Sequence, residues 1–265
     1  MKYDTHVHTT FSPDAVSTFK DYSRKIDEGK VCGIGFTEHV DFLPECGAYG
    51  FFDYNAFMEK LHEYRSRGYE FHAGAEIDYA KCVEEEIKTH LQLHSYEYTI
   101  CSVHMINRVS VSNSKKREDL NSDAVILDML EKYYYEVYSG LMNDMFDIIA
   151  HIGIYRRSLK EEYINEKIQQ AIKEYDNELA KACAKSDKII EVNSSGLYSP
   201  IASTFPDVDF LKLYYKYGGR TVSMGSDAHN AENVAQGFDI VEDILREIGF
   251  KYVCIPWEKG RTVKL

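Results

Sequence analysis

The stretch KYDTHVH, residues 2–8, continues through TTFSP to Asp14, and it sets two histidines one residue apart at the end of a β-prone run. In extended chain the side chains alternate faces, so His6 and His8 share a side and their imidazoles can chelate one ion. The same event recurs. Glu38 and His39 follow a run at 31–37, Glu76 lies at the end of 70–77, His104 follows 97–103, and His151 closes 146–151. Asp227 and His229 follow 221–225 with the spacing of the first pair, and a further run at 188–193 closes on Asn193.

Between these seven candidate strands lie helical patterns at 17–29, 54–67, 83–94, 123–139, 159–186, 207–217 and 232–248, several ending at glycine. Glycine after an apolar-periodic run marks a helix end, because a left-handed residue there costs least without a Cβ. Alternation of short apolar runs with helices predicts βα units around a parallel sheet, with no clear eighth strand. In a parallel barrel the strand ends open on one face, so residues far apart in sequence converge on one pocket. A YVCIP strand and the KGRTVKL tail are expected on the rim.

The 265 residues, 44% hydrophobic, can bury a substantial core, and no linker divides them, so residues 1–265 are expected to form a single domain. A net charge of −12 disfavours nucleic acid and suits a small phosphorylated substrate. The N-terminus lacks the basic and apolar regions of a signal peptide, and no apolar run approaches a bilayer span; both point to a cytoplasmic protein without membrane contact. Six widely spaced cysteines without a CxxC pair are expected to be reduced core residues.

Each chemical reading has a plainer rival. Asp14 can cap the helix after it, Glu76 and Asp227 can be rim carboxylates, and a lone histidine at a strand end is commonly just hydrogen-bonded. The combination outweighs them: six of the ten histidines fall at strand ends. His90 and His94 are four apart on a helix but have no acidic third ligand, and they read as surface residues. Neutral imidazole with carboxylate suits Zn²⁺, Mn²⁺ or Fe²⁺, and the lack of thiolates argues for an open site. Lys115, Lys116 and Arg117, in a polar loop at 108–121, read as a solvated turn that could also meet a phosphate.

The ordered blocks DTHVHTTFSPD, GFTEHVD, GAEIDY, SVHMI, AHIGI, EVNSSGL and MGSDAH resemble the PHP (polymerase and histidinol phosphatase) superfamily, and within it the histidinol-phosphate phosphatase group. The resemblance implies an α/β fold, a distorted (β/α)7 TIM-like barrel with a trinuclear metal site at the C-terminal ends of the strands. By that resemblance His6, His8 and Asp227 would hold one ion, and Glu76 would bridge it to a second held by His104 and His151. Asp14, His39 and His229 would hold the third.

Two ions sharing Glu76 would lower a bridging water's pKa and present hydroxide to phosphorus, and the third would screen phosphate charge. Asp227 or His229, or a water, would protonate the leaving oxygen. Arg156 and Arg157 follow His151 where relatives place a phosphate-binding arginine, and a guanidinium can grip two phosphate oxygens. Asn193 is a candidate substrate contact. Tyr198 stands where the histidinol-phosphatase pattern commonly has arginine, so it can offer phosphate a hydrogen bond but no charge. The expected activity is a metal-dependent phosphomonoester hydrolase acting on L-histidinol phosphate in histidine biosynthesis. The alternatives are a PHP phosphoesterase for another small metabolite or nucleotide, and a non-catalytic metal-binding regulatory module.

Overall fold

The computed structural model describes residues 2–113 and 117–265. Seven parallel strands follow one another in chain order, β1 (Tyr3–Val7), β2 (Gly33–Asp41), β3 (Phe71–Asp78), β4 (Tyr98–Ser102), β5 (Ile148–Ile149), β6 (Ile189–Asn193) and β7 (Val222–Gly225). The sheet curls until its edges meet beyond β7: the Asp227 N–H donates to the His6 carbonyl and the His8 N–H to the Ala228 carbonyl, both at 2.9 Å. The result is the nearly closed seven-stranded α/β barrel that the sequence implied. The strands are buried on both faces, which is why they read as near-continuous apolar runs rather than alternating ones.

Helices α1 (Phe19–Asp27), α2 (Tyr54–Arg65), α3 (Glu84–Leu93), α4 (Asp123–Leu141), α5 (Glu166–Cys183), α6 (Val208–Lys216) and α7 (Phe238–Ile248) surround it. Much of the core lies between helices and barrel wall. Phe19 of α1 meets Phe36 of β2 at 4.5 Å between ring centroids, and Phe36 meets Phe71 of β3 at 4.8 Å, both tilted towards edge contact. Burying each such ring stabilises the fold by about 1.5–3 kcal/mol.

The tail forms an antiparallel hairpin, β8 (Tyr252–Cys254) with β9 (Thr262–Lys264), and between its strands Trp257 stacks on His72 at 4.3 Å. Trp257 also contacts Tyr98, whose hydroxyl donates to the Thr5 carbonyl at 2.8 Å. A Cβ at Gly35 would come within 1.9 Å of that hydroxyl, so glycine is what allows Tyr98 inside the barrel.

Some boundaries differ from expectation. β2 runs to Asp41, four residues past the expected end, because it pairs with β3 through Asp41 opposite Asp78. The expected helix at 159–186 is a short turn followed by α5, since the Asn165 side chain accepts from the Ile168 N–H and starts the helix there. The expected helix at 232–248 begins only at Phe238, after Gly237 in left-handed conformation. The loop at 108–121 contributes Val109–Ser110 to a small hairpin with Met105–Ile106. Arg117 is buried beside Asp119 rather than solvated, and Lys115 and Lys116 lie outside the described residues. All six cysteines are free, but only Cys101 and Cys183 are core residues, and Cys82 is exposed.

Candidate metal centre

The β2–β3 register sets His39 level with Glu76, and the Glu76 carboxylate is the hub of the site. Its Oε2 lies 3.4 Å from His6 Nε2 and 3.5 Å from His8 Nε2, and its Oε1 lies 2.8 Å from His151 Nε2 and 3.4 Å from His104 Nε2. One carboxylate therefore faces two imidazole pairs with different oxygens. Asp227 Oδ1 completes the first group, 3.3 Å from His8 Nε2 and 3.8 Å from His6 Nε2. Outward of these, Asp14 Oδ2 sits 3.4 Å from His229 Nε2 and 3.6 Å from His39 Nε2, while His39 Nδ1 touches Glu76 at 2.8 Å.

These donors fit divalent ions. Two ligands at bond lengths near 2.05 Å in tetrahedral geometry stand roughly 3.3 Å apart, the spacing seen here. The His6 and His8 Nε2 atoms and Glu76 Oε2 are buried without a hydrogen-bond partner, an arrangement that is costly unless a cation satisfies it. Among the described residues, sets such as His6, His8 and Asp227, or His6, Glu76 and His151, bring three ligand atoms within 4.8 Å of one another. His151 and Asp227 both have positive φ, 25° and 55°, a strained backbone of the kind that collects at functional sites.

Surrounding groups orient the imidazoles. His6 Nδ1 lies 2.6 Å from Glu191 Oε1, so with a cation bound its proton would sit there and Nε2 would present a lone pair to the ion. Glu191 Oε2 accepts from the His151 N–H at 2.8 Å and from Asn193 Nδ2 at 3.2 Å. A Cβ at Gly225 would stand 2.1 Å from Glu191 Oε1, which explains glycine at that position. Glu38 accepts from the Ser12 hydroxyl at 2.6 Å, and Ser12 Oγ in turn accepts from the His39 N–H at 3.0 Å and lies 3.3 Å from His8 Nδ1. His229 Nδ1 donates to the Asp227 carbonyl at 2.9 Å.

Electrostatics follow from this packing. Burial pushes the His8 pKa well down, helped by His229 and His39, and burial holds His104 at about 3; both imidazoles are neutral donors. Burial opposes charge on Glu76, but His6 and His39 outweigh it and keep the carboxyl well below its ordinary range. Burial likewise opposes charge on His6, yet Glu191 and Glu76 drive its pKa up.

The cluster opens into a cavity of about 400 Å³, a volume suited to a small metabolite. Arg157 lines it, donating to the Ser195 hydroxyl at 2.7 Å with its guanidinium over the Phe205 ring, and forms no ion pair among the described residues. Arg156 turns away from the cavity into ion pairs with Asp207 and Asp176. Asn193 is fully buried and accepts from Ser195, so it holds the residue that Arg157 binds and does not line the cavity. Tyr198 is 56% exposed beside Gly237, also off the cavity. His90 and His94 stack on each other at 4.3 Å with His90 Nε2 bonded to Tyr96, and neither joins a ligand cluster among the described residues.

Sequence reading missed Asp41 and Asp78, which line the cavity, and it missed Glu191; Glu38, noted beside His39, supports Ser12 rather than facing the cluster. Burial pushes both carboxyls up, and the charge of Asp41 pushes Asp78 up further. The signal for Glu191 was present: a carboxylate inside the apolar run IIEVN is a buried charge that demands partners.

Residues 4–195 match the PHP domain family. The chain belongs to the PHP family. Along its whole length it resembles a probable histidinol-phosphatase of Thermotoga maritima, 24% identical over 99% of both chains. A histidinol-phosphatase of Lactococcus lactis is 23% identical over 94% of this chain and 92% of its own. The crystal structure of the Lactococcus lactis histidinol phosphate phosphatase, complexed with zinc, L-histidinol and phosphate, superposes with a TM-score of 0.78 at 19% identity, covering 99% of each chain. This PHP protein is a metal-dependent, phosphatase-like hydrolase, a phosphoesterase whose His/Glu/Asp clusters are consistent with a multinuclear metal site.

Proposed function

We propose that this protein is a phosphomonoesterase for L-histidinol phosphate, working as one catalytic unit with three divalent ions, Zn²⁺, Mn²⁺ or Fe²⁺. His6, His8, Asp227 and Glu76 would hold the first, Glu76, His104 and His151 the second, and Asp14, His39 and His229 the third. When bound, the ions supply Lewis acidity and an activated water. The protein's own groups do the rest. Arg157 lies on the cavity with its charge uncommitted and would clamp the phosphoryl oxygens, whereas Arg156 holds the loop beneath it. Asp227 and His229 both line the cavity, where they would orient the water that hands a proton to the leaving oxygen.

The observation that carries the substrate reading is the cavity's mixed lining. Beside the metal cluster and Arg157 stand Asp41 and Asp78, and among the described residues neither pairs with a lysine or arginine. A dianionic phosphate at one part of the ligand and a cationic ammonium at another would satisfy both, as histidinol phosphate does. The named relatives and the histidinol in the Lactococcus lactis structure support the same choice. A PHP phosphatase for a different small ester is the second reading, favoured by Tyr198 where the histidinol-phosphatase pattern commonly has arginine.

A panel of phosphomonoesters with Mn²⁺- or Zn²⁺-loaded protein separates these. Histidinol phosphate should be the preferred ester, and Asp41→Asn should raise its KM while leaving that of p-nitrophenyl phosphate near wild type. No turnover of histidinol phosphate beside rapid turnover of another ester would refute the substrate. Metal content retained, with equal background activity in wild type and Glu76→Ala, would instead indicate a binding module.

A further inference from the structure

The Arg157 side chain is held at the cavity by two contacts. Its Nη2 donates to Ser195 Oγ at 2.7 Å, and its guanidinium lies over the Phe205 ring, 5.2 Å from the centroid. Both contacts trace back to Asn193 at the end of β6. Asn193 Oδ1 accepts from the Ser195 hydroxyl at 2.5 Å and from the Ser195 N–H at 3.0 Å. The Asn193 backbone exchanges two hydrogen bonds with Phe205, its N–H donating at 2.8 Å and its carbonyl accepting at 3.0 Å. Gly196 lets the chain pass between them, since a Cβ there would collide with the Ser203 carbonyl and the Phe205 ring.

The direction of each bond is fixed. The Ser195 hydroxyl has one proton, and Asn193 Oδ1 at 2.5 Å takes it in preference to Asp227 Oδ2 at 3.5 Å. The Ser195 oxygen is thereby left to accept from Arg157. Reversing the Asn193 amide would set its Nδ2 against the Ser195 N–H, so Nδ2 instead donates to Glu191 Oε2 at 3.2 Å. Donation therefore runs one way, from Arg157 through Ser195 and Asn193 to a buried carboxylate, and bonds aligned in this way strengthen one another.

We propose that Ser195 is a positioning residue for the hydrolysis, fixing the Arg157 guanidinium in the orientation that meets the phosphoryl group. This rests on the reading of Arg157 as the phosphate clamp. A free arginine would lose its side-chain freedom each time a substrate bound, and the Ser195 bond removes that cost beforehand. The bond takes only one of the guanidinium's N–H groups, so the planar fork stays available to the phosphate.

Steady-state kinetics of metal-loaded Ser195→Ala, alone and combined with Arg157→Ala, test this. Ser195→Ala should lower kcat/KM by about 3- to 10-fold, equally for histidinol phosphate and p-nitrophenyl phosphate, and weaken inhibition by inorganic phosphate. In the Arg157→Ala background it should cost less than about two-fold, because the group it positions is gone. Metal affinity should match wild type. Ser194→Ala is the control: its hydroxyl donates to the Gln236 carbonyl at 2.6 Å, outside this chain of bonds, so kcat/KM should hold. Full activity in Ser195→Ala beside a loss in Arg157→Ala would overturn the positioning role and leave the clamp standing. Full activity in Arg157→Ala would remove the clamp and the proposal with it. A Ser195→Ala loss that persists undiminished without Arg157, or that comes with weaker metal binding, would also overturn it, since the hydroxyl would then act through Asp227.

Discussion

Glu191→Gln is the sharpest test of how the metal centre is built. The carboxylate serves three buried groups: His6 Nδ1 at 2.6 Å on one oxygen, and the His151 N–H at 2.8 Å and Asn193 Nδ2 at 3.2 Å on the other. Glutamine fills the same space but keeps one acceptor. If its oxygen faces His151, its amide N–H₂ meets His6 Nδ1 and drives the imidazole proton to Nε2, the atom that must face the cation. If its oxygen faces His6, the strained His151 backbone loses its anchor.

Either way a buried donor goes unsatisfied or a ligand is blocked, at a cost of about 1–3 kcal/mol. At about 1.4 kcal/mol per decade this is a loss of roughly 10- to 100-fold in metal affinity, the range expected when a carboxylate behind a ligating histidine is removed. Competition against a chelating dye would measure the affinity, with urea unfolding of the metal-free protein as the control for folding. Metal affinity and kcat/KM within two-fold of wild type would refute the reasoning. So would a loss of metal-free stability with affinity unchanged, since Glu191 would then be only a packing residue.

Arg157→Ala should lower kcat/KM by about 10- to 100-fold, from a lost charge-assisted bond, with little change in unfolding midpoint. Arg156→Ala should do the reverse, costing about 3 kcal/mol of stability by stranding Asp176 and Asp207, as urea denaturation would report. Gly225→Ala forces a Cβ against Glu191 and His6, and should destabilise the protein by about 1–3 kcal/mol while weakening metal binding. Removing metal with a chelator should abolish hydrolysis and lower the melting temperature, with both restored on adding Mn²⁺ or Zn²⁺.

Glu97 offers a pH test away from the site. Burial raises its pKa, but the bonds from His72 and the Ala73 N–H, with the charges of His72 and Arg65, hold it at about 2. A depressed carboxyl contributes its stability fully above the unfolded value near 4.3 and loses it as pH falls towards 2. Glu97→Gln should therefore lower stability at pH 7 by a small amount, given the side chain's exposure. The difference from wild type should shrink towards pH 2, and a gap independent of pH in denaturant melts would contradict this.

The strand-end residues were legible because the information is local. An apolar run identifies a buried strand, and a histidine or carboxylate at its end is visible in the same few letters, as with DTHVH and GAE before Ile77. The helix ends at Gly29, Gly68 and Gly249 were legible for the same reason: a left-handed φ, here 73°, 91° and 115°, is written in the residue type. Boundaries such as the end of β2 at Asp41 were not, because pairing with β3 sustains that strand beyond its own apolar run.

By itself, then, the sequence determined the seven-stranded barrel, the family and the set of nine candidate donors, since all of these rest on short-range pattern. Only the tertiary structure decided which donors share a neighbour. It also turned Arg157 to the cavity and Arg156 to Asp207, and set Glu191 behind His6 and Asp41 beside Asp78. Those outcomes depend on strand register and on partners far apart in the chain: adjacent arginines look alike as letters, and only the position of Asp176, Asp207 and Ser195 in space distinguishes them.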